Sequence, residues 1–330
     1  PDAKVGDLSV SKQQLVEVSR ALAHDARLVI MDEPTSSLTP DEVRHLFKVI
    51  ERLKSMDIAI IYVSHKLEEI FEIADKCTVL RDGKWISTKL TSEHSQNSLI
   101  KDMVGREISD LFPRSQRTLG EKIVDVSGLS TKTLLQDISF NVRAGEIVGF
   151  FGLMGAGRTE LAKAVVGYDP ISSGIITING ENLTPHTTIK SKALGIGLLT
   201  EDRKTEGLMA DANVTHNMTL AALSAFTKSG FVDGDAETKH VQQYVDRFRI
   251  KLSKLSQPIK TLSGGNQQKV LLSRWLVYGL RAIVLDEPTR GIDVGAKAEI
   301  FALIDELASE GLAVILMTSE MSELLGLSDR

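Results

Sequence analysis

Cysteine is nearly absent: Cys77 is the only one in 330 residues. A single thiol closes no internal disulfide and builds no multi-cysteine metal site, which fits a reducing compartment. Long apolar runs are also missing. Residues 58–63 form one of the longest, far short of the roughly 20 residues that a membrane-spanning helix needs. Any membrane role must therefore pass through a partner. A basic surplus is missing as well: 39 Lys and Arg stand against 44 Asp and Glu, a net charge of −5. That balance argues against a protein that grips a nucleic-acid backbone. No secretory leader is visible, and Pro1 is not a natural start, so residues upstream of it are expected. What remains is an ordinary soluble composition, 42% hydrophobic and 25% charged, with length for one or two domains.

The chain contains two copies of one pattern. Leu8-Ser-Val-Ser-Lys-Gln-Gln14 aligns with Leu262-Ser-Gly-Gly-Asn-Gln-Gln268, and Met31-Asp-Glu-Pro-Thr35 with Leu285-Asp-Glu-Pro-Thr289, both at an offset of 254 residues. The offset runs without a gap from Leu8–Lys76 against Leu262–Arg330. Upstream of the second copy lies Gly152-Leu-Met-Gly-Ala-Gly-Arg158-Thr159, a phosphate-binding loop with Arg where Lys is expected. Only seven residues precede the first copy, too few for such a loop.

Periodicity places these motifs. Residues 122–126 and 139–142 alternate apolar and polar, as half-buried strands do. Residues 146–151 read as a strand entering the glycine loop, and 159–166 as a helix leaving it. Residues 174–180 suggest a hairpin strand, and 195–200 and 282–285 suggest buried strands. Residues 213–255 read as a helical insertion with a polar interruption at 228–235, and 262–278 as a helix. Ala296, Ile300, Leu303, Ile304 and Leu307 recur at helical spacing, as do Val43, Leu46, Phe47, Ile50 and Leu53. Apolar strands follow at 312–317 and 58–63. Strands alternating with helices imply an α/β fold with a parallel sheet. Residues 106–120, polar and containing Pro113, read as a linker.

Each motif has a chemical reading and a plainer one. Small residues let backbone N–H groups close on phosphate at a helix start, although a tight turn without ligand would look similar. Thr159 offers a hydroxyl to Mg²⁺. Asp286 and Glu287 end a buried strand, as Asp32 and Glu33 do. One carboxylate can hold the Mg²⁺ shell while the next polarises an attacking water. Salt-bridged or helix-capping acids are the alternative, weakened because the pair recurs with Pro-Thr behind it. Ser263, Gly264 and Gly265 open a helix in an anion-binding arrangement, where an N-cap alone would not require both glycines. His65 follows a buried strand and reads as a phosphate-contacting switch. The second copy has Ser319 there.

These residues resemble the ABC transporter nucleotide-binding family. Leu262-Ser-Gly-Gly-Asn-Gln is similar to its signature, 152–159 to its Walker A and 282–287 to its Walker B. His65 resembles its switch histidine, and Glu201 stands where it carries a Q-loop glutamine. Residues 200–204, 285–297, 320–326 and Arg158 further resemble the twin-cassette ATPases of monosaccharide importers. The resemblance implies P-loop NTPase cassettes, mainly parallel in the sheet core with a helical subdomain, two in tandem. Residues 1–105 would be the C-terminal part of a first cassette without Walker A, and 121–330 a second cassette with its C-terminus truncated. The chain is then an internal piece of a protein of roughly 500 residues.

Family geometry implies two unequal ATP sites with Mg²⁺. One would use Asp32, Glu33 and His65, closed by Ser263, Gly264, Gly265 and Gln267. The other would use Gly152, Gly155, Ala156, Gly157, Arg158, Thr159, Glu201, Asp286 and Glu287, closed by a first signature in which Val10 and Ser11 replace both glycines. With Arg158, Glu201 and Ser319 at three support positions, the second is expected mainly to bind nucleotide. This piece alone is expected to lack normal turnover. The implied setting is the cytoplasmic face of a membrane. The expected partners are transmembrane sugar permease subunits and, indirectly, a periplasmic or lipoprotein sugar-binding protein, with no nucleic acid. The alternatives are a soluble ATPase of this family acting on ribosomes or DNA, or an importer of nucleoside or autoinducer-type solutes.

Overall fold

The computed structural model describes residues 4–8, 12–13, 16–17, 19–20, 26–35, 38, 40–64, 66–81, 83–105, 112–152 and 155–330. They fall into two units, Pro1–Ile108 and Ser109–Arg330. Unit 1 contains β1 (Leu28–Asp32), α1 (Pro40–Lys54), β2 (Ala59–Val63), α2 (Leu67–Ile73), β3 (Lys76–Arg81), β4 (Lys84–Leu90) and α3 (Gln96–Val104). β1 and β2 run parallel with Asp32 opposite Val63, and β3 and β4 form an antiparallel pair. The predicted helical stripe is real: Leu46, Phe47, Ile50 and Leu53 pack under Val29 and Met31.

Unit 2 opens with β5 (Lys122–Ser130), β6 (Ile138–Arg143), β7 (Ile147–Phe151), α4 (Arg158–Val165), β8 (Ser173–Ile178), β9 (Glu181–Asn182), α5 (Thr188–Leu194) and β10 (Ile196–Leu199). It continues with α6 (Val214–Thr219), β11 (Thr227–Lys228), β12 (Phe231–Val232), α7 (Gly234–Arg247), α8 (Gly264–Tyr278), β13 (Ala282–Asp286), α9 (Val294–Ser309), β14 (Ala313–Thr318) and α10 (Met321–Leu327). β10, β13, β14 and β7 form a parallel sheet in that order, while β6, β5, β8 and β9 form an antiparallel one. Every residue of β13 and β14 is buried, which explains their uninterrupted apolar sequence: a parallel sheet covered on both faces has no polar side to alternate with.

The order strand–helix–strand–helix recurs in both units at the 254-residue offset, β1-α1-β2-α2 against β13-α9-β14-α10. Their environments differ. Ile30 is 64% and Ile61 48% exposed, while their counterparts Val284 and Ile315 are fully buried. The cause lies in the helix after the glycine loop, whose Leu161, Ala162 and Val165 share a core with Val284 and Ile315. Within the expected insertion at 213–255, residues 214–226 and 234–247 are helical, the short β11–β12 hairpin sits at the polar interruption, and residues 248–255 form no helix.

The described part of the expected linker, residues 112–120, belongs to unit 2. Phe112 stacks on Phe301 with ring centres 5.0 Å apart, and Gly326 leaves room for that ring, since a Cβ there would come within 2.4 Å of it. Arg117 reaches Asp305 at 2.7 Å with both side chains buried, and Asp329 at 2.8 Å. Ser115 donates to the same Asp305 at 2.6 Å. Removing one partner of a buried pair leaves the other charge uncompensated, at a cost of about 3–5 kcal/mol. Asp305→Ala is therefore expected to destabilise unit 2 by about that much in urea unfolding. Lys190→Ala, which breaks the more exposed pair with Glu181, should cost under about 1 kcal/mol. Equal small losses would show that Arg117–Asp305 is no anchor.

Candidate functional site

The chain leaves β7 at Phe151 and must turn sharply into α4. Gly155 and Gly157 take φ of +80° and +93°, where side chains are strained. A Cβ on Gly152 would lie 2.8 Å from that of Ala156. The loop therefore closes on itself with backbone at its surface, and Gly157 caps the first turn of α4. The first N–H groups of a helix have no internal partner, so this turn is a cradle for an anion. Residues 153 and 154 lie outside the described set.

Arg158 and Thr159 begin that helix and meet the acids at the end of β13. Arg158 Nη1 donates to Glu287 Oε1 at 2.5 Å, with both side chains largely buried. Thr159 donates to Glu201 Oε2 at 3.2 Å, and Glu201 also pairs with Arg290. Asp286 is buried, and its Oδ1 has no hydrogen-bond partner. Burial pushes its carboxyl pKa up. The Thr159 hydroxyl pulls it back, and the Glu287 charge adds to the rise. An orphaned carboxylate oxygen beside a hydroxyl is a hard-oxygen set that suits Mg²⁺. Thr159 and Asp286 are the residues that would hold it. Among the described residues no three His, Cys, Asp or Glu gather as a metal cluster, so its remaining ligands would be water and substrate oxygens.

Glu287 adopts φ +46° and donates its N–H to Met317 O at 2.9 Å. Glu33 repeats this in unit 1, with φ +48° and a 2.9 Å bond to Val63 O. A left-handed non-glycine residue costs about 1–3 kcal/mol and persists only where its surroundings fix it. Asp32, unlike Asp286, is exposed.

The stretch 262–267 is ordered by packing. Ser263 precedes α8 and accepts from Asn266 Nδ2 at 2.8 Å. A Cβ on Gly264 would meet Arg203 Nη2 at 2.7 Å, and one on Gly265 would meet Ala296 at 2.6 Å. Gln267 is buried and donates to Leu262 O at 3.1 Å, so its amide serves its own loop. Gln13 does the same for Leu8 O at 2.9 Å. Ser319 is exposed just past β14. Val10, Ser11 and His65 lie outside the described residues.

Two features were not singled out in the sequence. Arg203 ties the carbonyls of Arg290 and Gly291, at 2.7 and 3.0 Å, to Gln267. Glu69 and Glu323 are buried acids that accept from Thr35 and Thr289, both at 2.6 Å. The signal for the second feature was available, because both residues of each pair are identical across the repeat.

A family model described as ABC transporter matches residues 135–290. A protein of Geobacillus kaustophilus, provisionally named a ribose/galactose/methyl galactoside import ATP-binding protein, is 47% identical over 330 residues, 100% of this chain and 66% of the relative. Ribose import ATP-binding protein RbsA of Bacillus licheniformis is 45% identical over 329 residues, 100% of this chain and 67% of the relative. The chain thus spans about two thirds of the length of these curated relatives. Among solved structures, cbiO1 of Clostridium perfringens, part of the ABC transporter complex cbiONQ, shares the fold. Its TM-score is 0.53 at 24% identity, covering 63% of this chain and 82% of that one.

The environment of Asp286 has a consequence for stability. Its carboxyl holds a proton in the folded state to higher pH than it does when unfolded. Stability therefore falls as pH rises from the ordinary carboxylate range through the raised value, and the loss persists above it. Without divalent cation, Asp286→Asn should be more stable than the parent at pH 7, with the gap closing toward pH 4. A less stable variant at pH 7 would contradict the burial argument.

Proposed function

The chain belongs to the ABC transporter family of ATP-binding proteins, and on that premise we propose that it energises monosaccharide import by hydrolysing ATP at a membrane permease. The observation that carries this reading is the convergence of the glycine loop, Arg158, Thr159, Asp286 and Glu287 at one end of β7 and β13. In an open parallel sheet, ligands bind at the carboxyl ends of the strands. There the loop N–H groups and the Arg158 guanidinium would take phosphate oxygens, and Thr159 and Asp286 would hold Mg²⁺. When bound, the metal would supply positive charge that neutralises phosphate oxygens.

The two carboxylate turns are unequal in this reading. The 2.5 Å bond from Arg158 occupies Glu287 Oε1, so that oxygen is already engaged before any water approaches it. Glu201 holds the Thr159 hydroxyl that the metal would need. Unit 2 therefore binds nucleotide more than it turns it over, and hydrolysis falls to Asp32, Glu33 and His65. The monosaccharide assignment follows the names of the relatives, which specify ribose and galactose import. Among the described residues no helix is long and apolar enough to cross a membrane. Transmembrane sugar permease subunits are the proposed partners at its cytoplasmic face, supplied by a sugar-binding protein.

In the full-length protein, Glu33→Gln should lower ATP turnover by about 10²–10⁴-fold while nucleotide binding survives. Glu287→Gln should cost far less and should tighten nucleotide binding, because it frees Arg158 for phosphate. Phosphate release and fluorescent-nucleotide titration measure the two effects. Equal losses of turnover would refute the asymmetry. Uptake of ribose and galactose into vesicles carrying the whole system tests the substrate, and ATP-dependent uptake of neither would remove it.

A further inference from the structure

Each carboxylate turn is held at two points. One is the backbone bond from Glu33 to Val63 O, or from Glu287 to Met317 O. The other lies two residues on, where Thr35 and Thr289 donate to Glu69 and Glu323. Both acids are buried on the helix that follows the second strand, α2 in unit 1 and α10 in unit 2. Their second oxygens accept from the end of that strand, from Tyr62 at 2.7 Å and Ser64 at 3.1 Å in unit 1, and from Thr318 at 2.9 Å in unit 2.

The cation beside each acid differs in origin. In unit 1 it is Lys66, at 3.2 Å from Glu69 and 3.2 Å from the Thr35 carbonyl. In unit 2 it is Lys297 of α9, at 3.0 Å from Glu323. At the repeat positions, Lys66 faces Glu320 and Lys297 faces Val43. The same arrangement of hydroxyl, carboxylate and ammonium is thus assembled from different residues, while the acid and the Thr stay fixed. Burial works against ionisation of Glu69, but the Thr35 and Tyr62 hydroxyls and the Lys66 charge hold its carboxyl below the usual range.

A surface helix could be tied down by any apolar contact. A buried carboxylate that accepts from both the turn and the strand end instead sets the distance between them. From this geometry we infer that Thr35 and Glu69 are positioning residues, which keep Glu33 in its left-handed conformation and so aim its carboxylate. The inference rests on the proposed role of Glu33 and deepens it. Both side chains are buried and engaged with each other, so they act through the turn they hold. Losing the clamp should therefore let the turn relax and lower the chemical rate with little change in how tightly nucleotide is held.

The test uses the full-length protein with Thr35→Val, Thr35→Ser, Glu69→Gln and, as reference, Glu33→Gln. ATP turnover and thermal midpoint are measured for each. Thr35→Val and Glu69→Gln should lower kcat about 10- to 50-fold with KM for ATP within twofold. Thr35→Ser, which keeps the hydroxyl, should stay within about threefold of the parent. Two results would overturn the clamp: kcat unchanged in Thr35→Val and Glu69→Gln, or kcat and midpoint falling while KM rises, with Thr35→Ser no better than Thr35→Val. Should Thr35→Val fail to fold, Glu69→Gln carries the comparison. If Glu33→Gln itself keeps full turnover, the role given to Glu33 is what fails, and that result is distinct from the other two.

Discussion

Parallel pairing at the ends of two strands is the constraint on which the site depends. β13 and β14 are in register through Asp286 opposite Met317, and the next N–H still reaches back to Met317 O. That last bond draws the chain across the strand end before Pro288, so Glu287 must turn left-handed. Asp286 is thereby left inside the sheet and Glu287 outside it. Adjacent residues of similar chemistry thereby meet different partners. One becomes a buried oxygen suited to a metal, and the other an acid within reach of Arg158.

The Arg at position 158 changes the electrostatics of this end of the sheet. A planar guanidinium matches carboxylate geometry better than a compact ammonium does. The glycine loop therefore presents its cation already paired, and an incoming anion must compete with Glu287 for it. Breaking a largely buried pair has a cost that phosphate contacts must offset.

Much of this was legible beforehand because it rests on local pattern. The apolar runs of β13 and β14, the stripe on α1, and the glycine loop between strand and helix follow from periodicity and small residues, which carry their meaning within one or two turns. What was hidden depends on distant partners. Phe112 and Arg117 look like a polar connector until Phe301 and Asp305 are placed beside them. Glu69 looks like one more acid on a short helix, since nothing within α2 shows that Thr35 lies over it. Gln267 reads as part of a binding motif from its neighbours in the sequence, and nothing there shows that its amide donates to Leu262 O. The β11–β12 hairpin is two residues per strand, too short for alternation to show.

The exchanged lysines carry a consequence for how such repeats can diverge. Between the arrangement with Lys66 and the one with Lys297, a path of single substitutions passes through a state with both cations or with neither. A buried carboxylate stripped of its counter-charge costs about 3–5 kcal/mol, a large share of the stability of a typical domain. Two ammonium groups near one acid can spread toward solvent, as the partly exposed Lys66 already does. The passable route therefore adds the second lysine before discarding the first, so a duplicated clamp can change its donor without losing its acid.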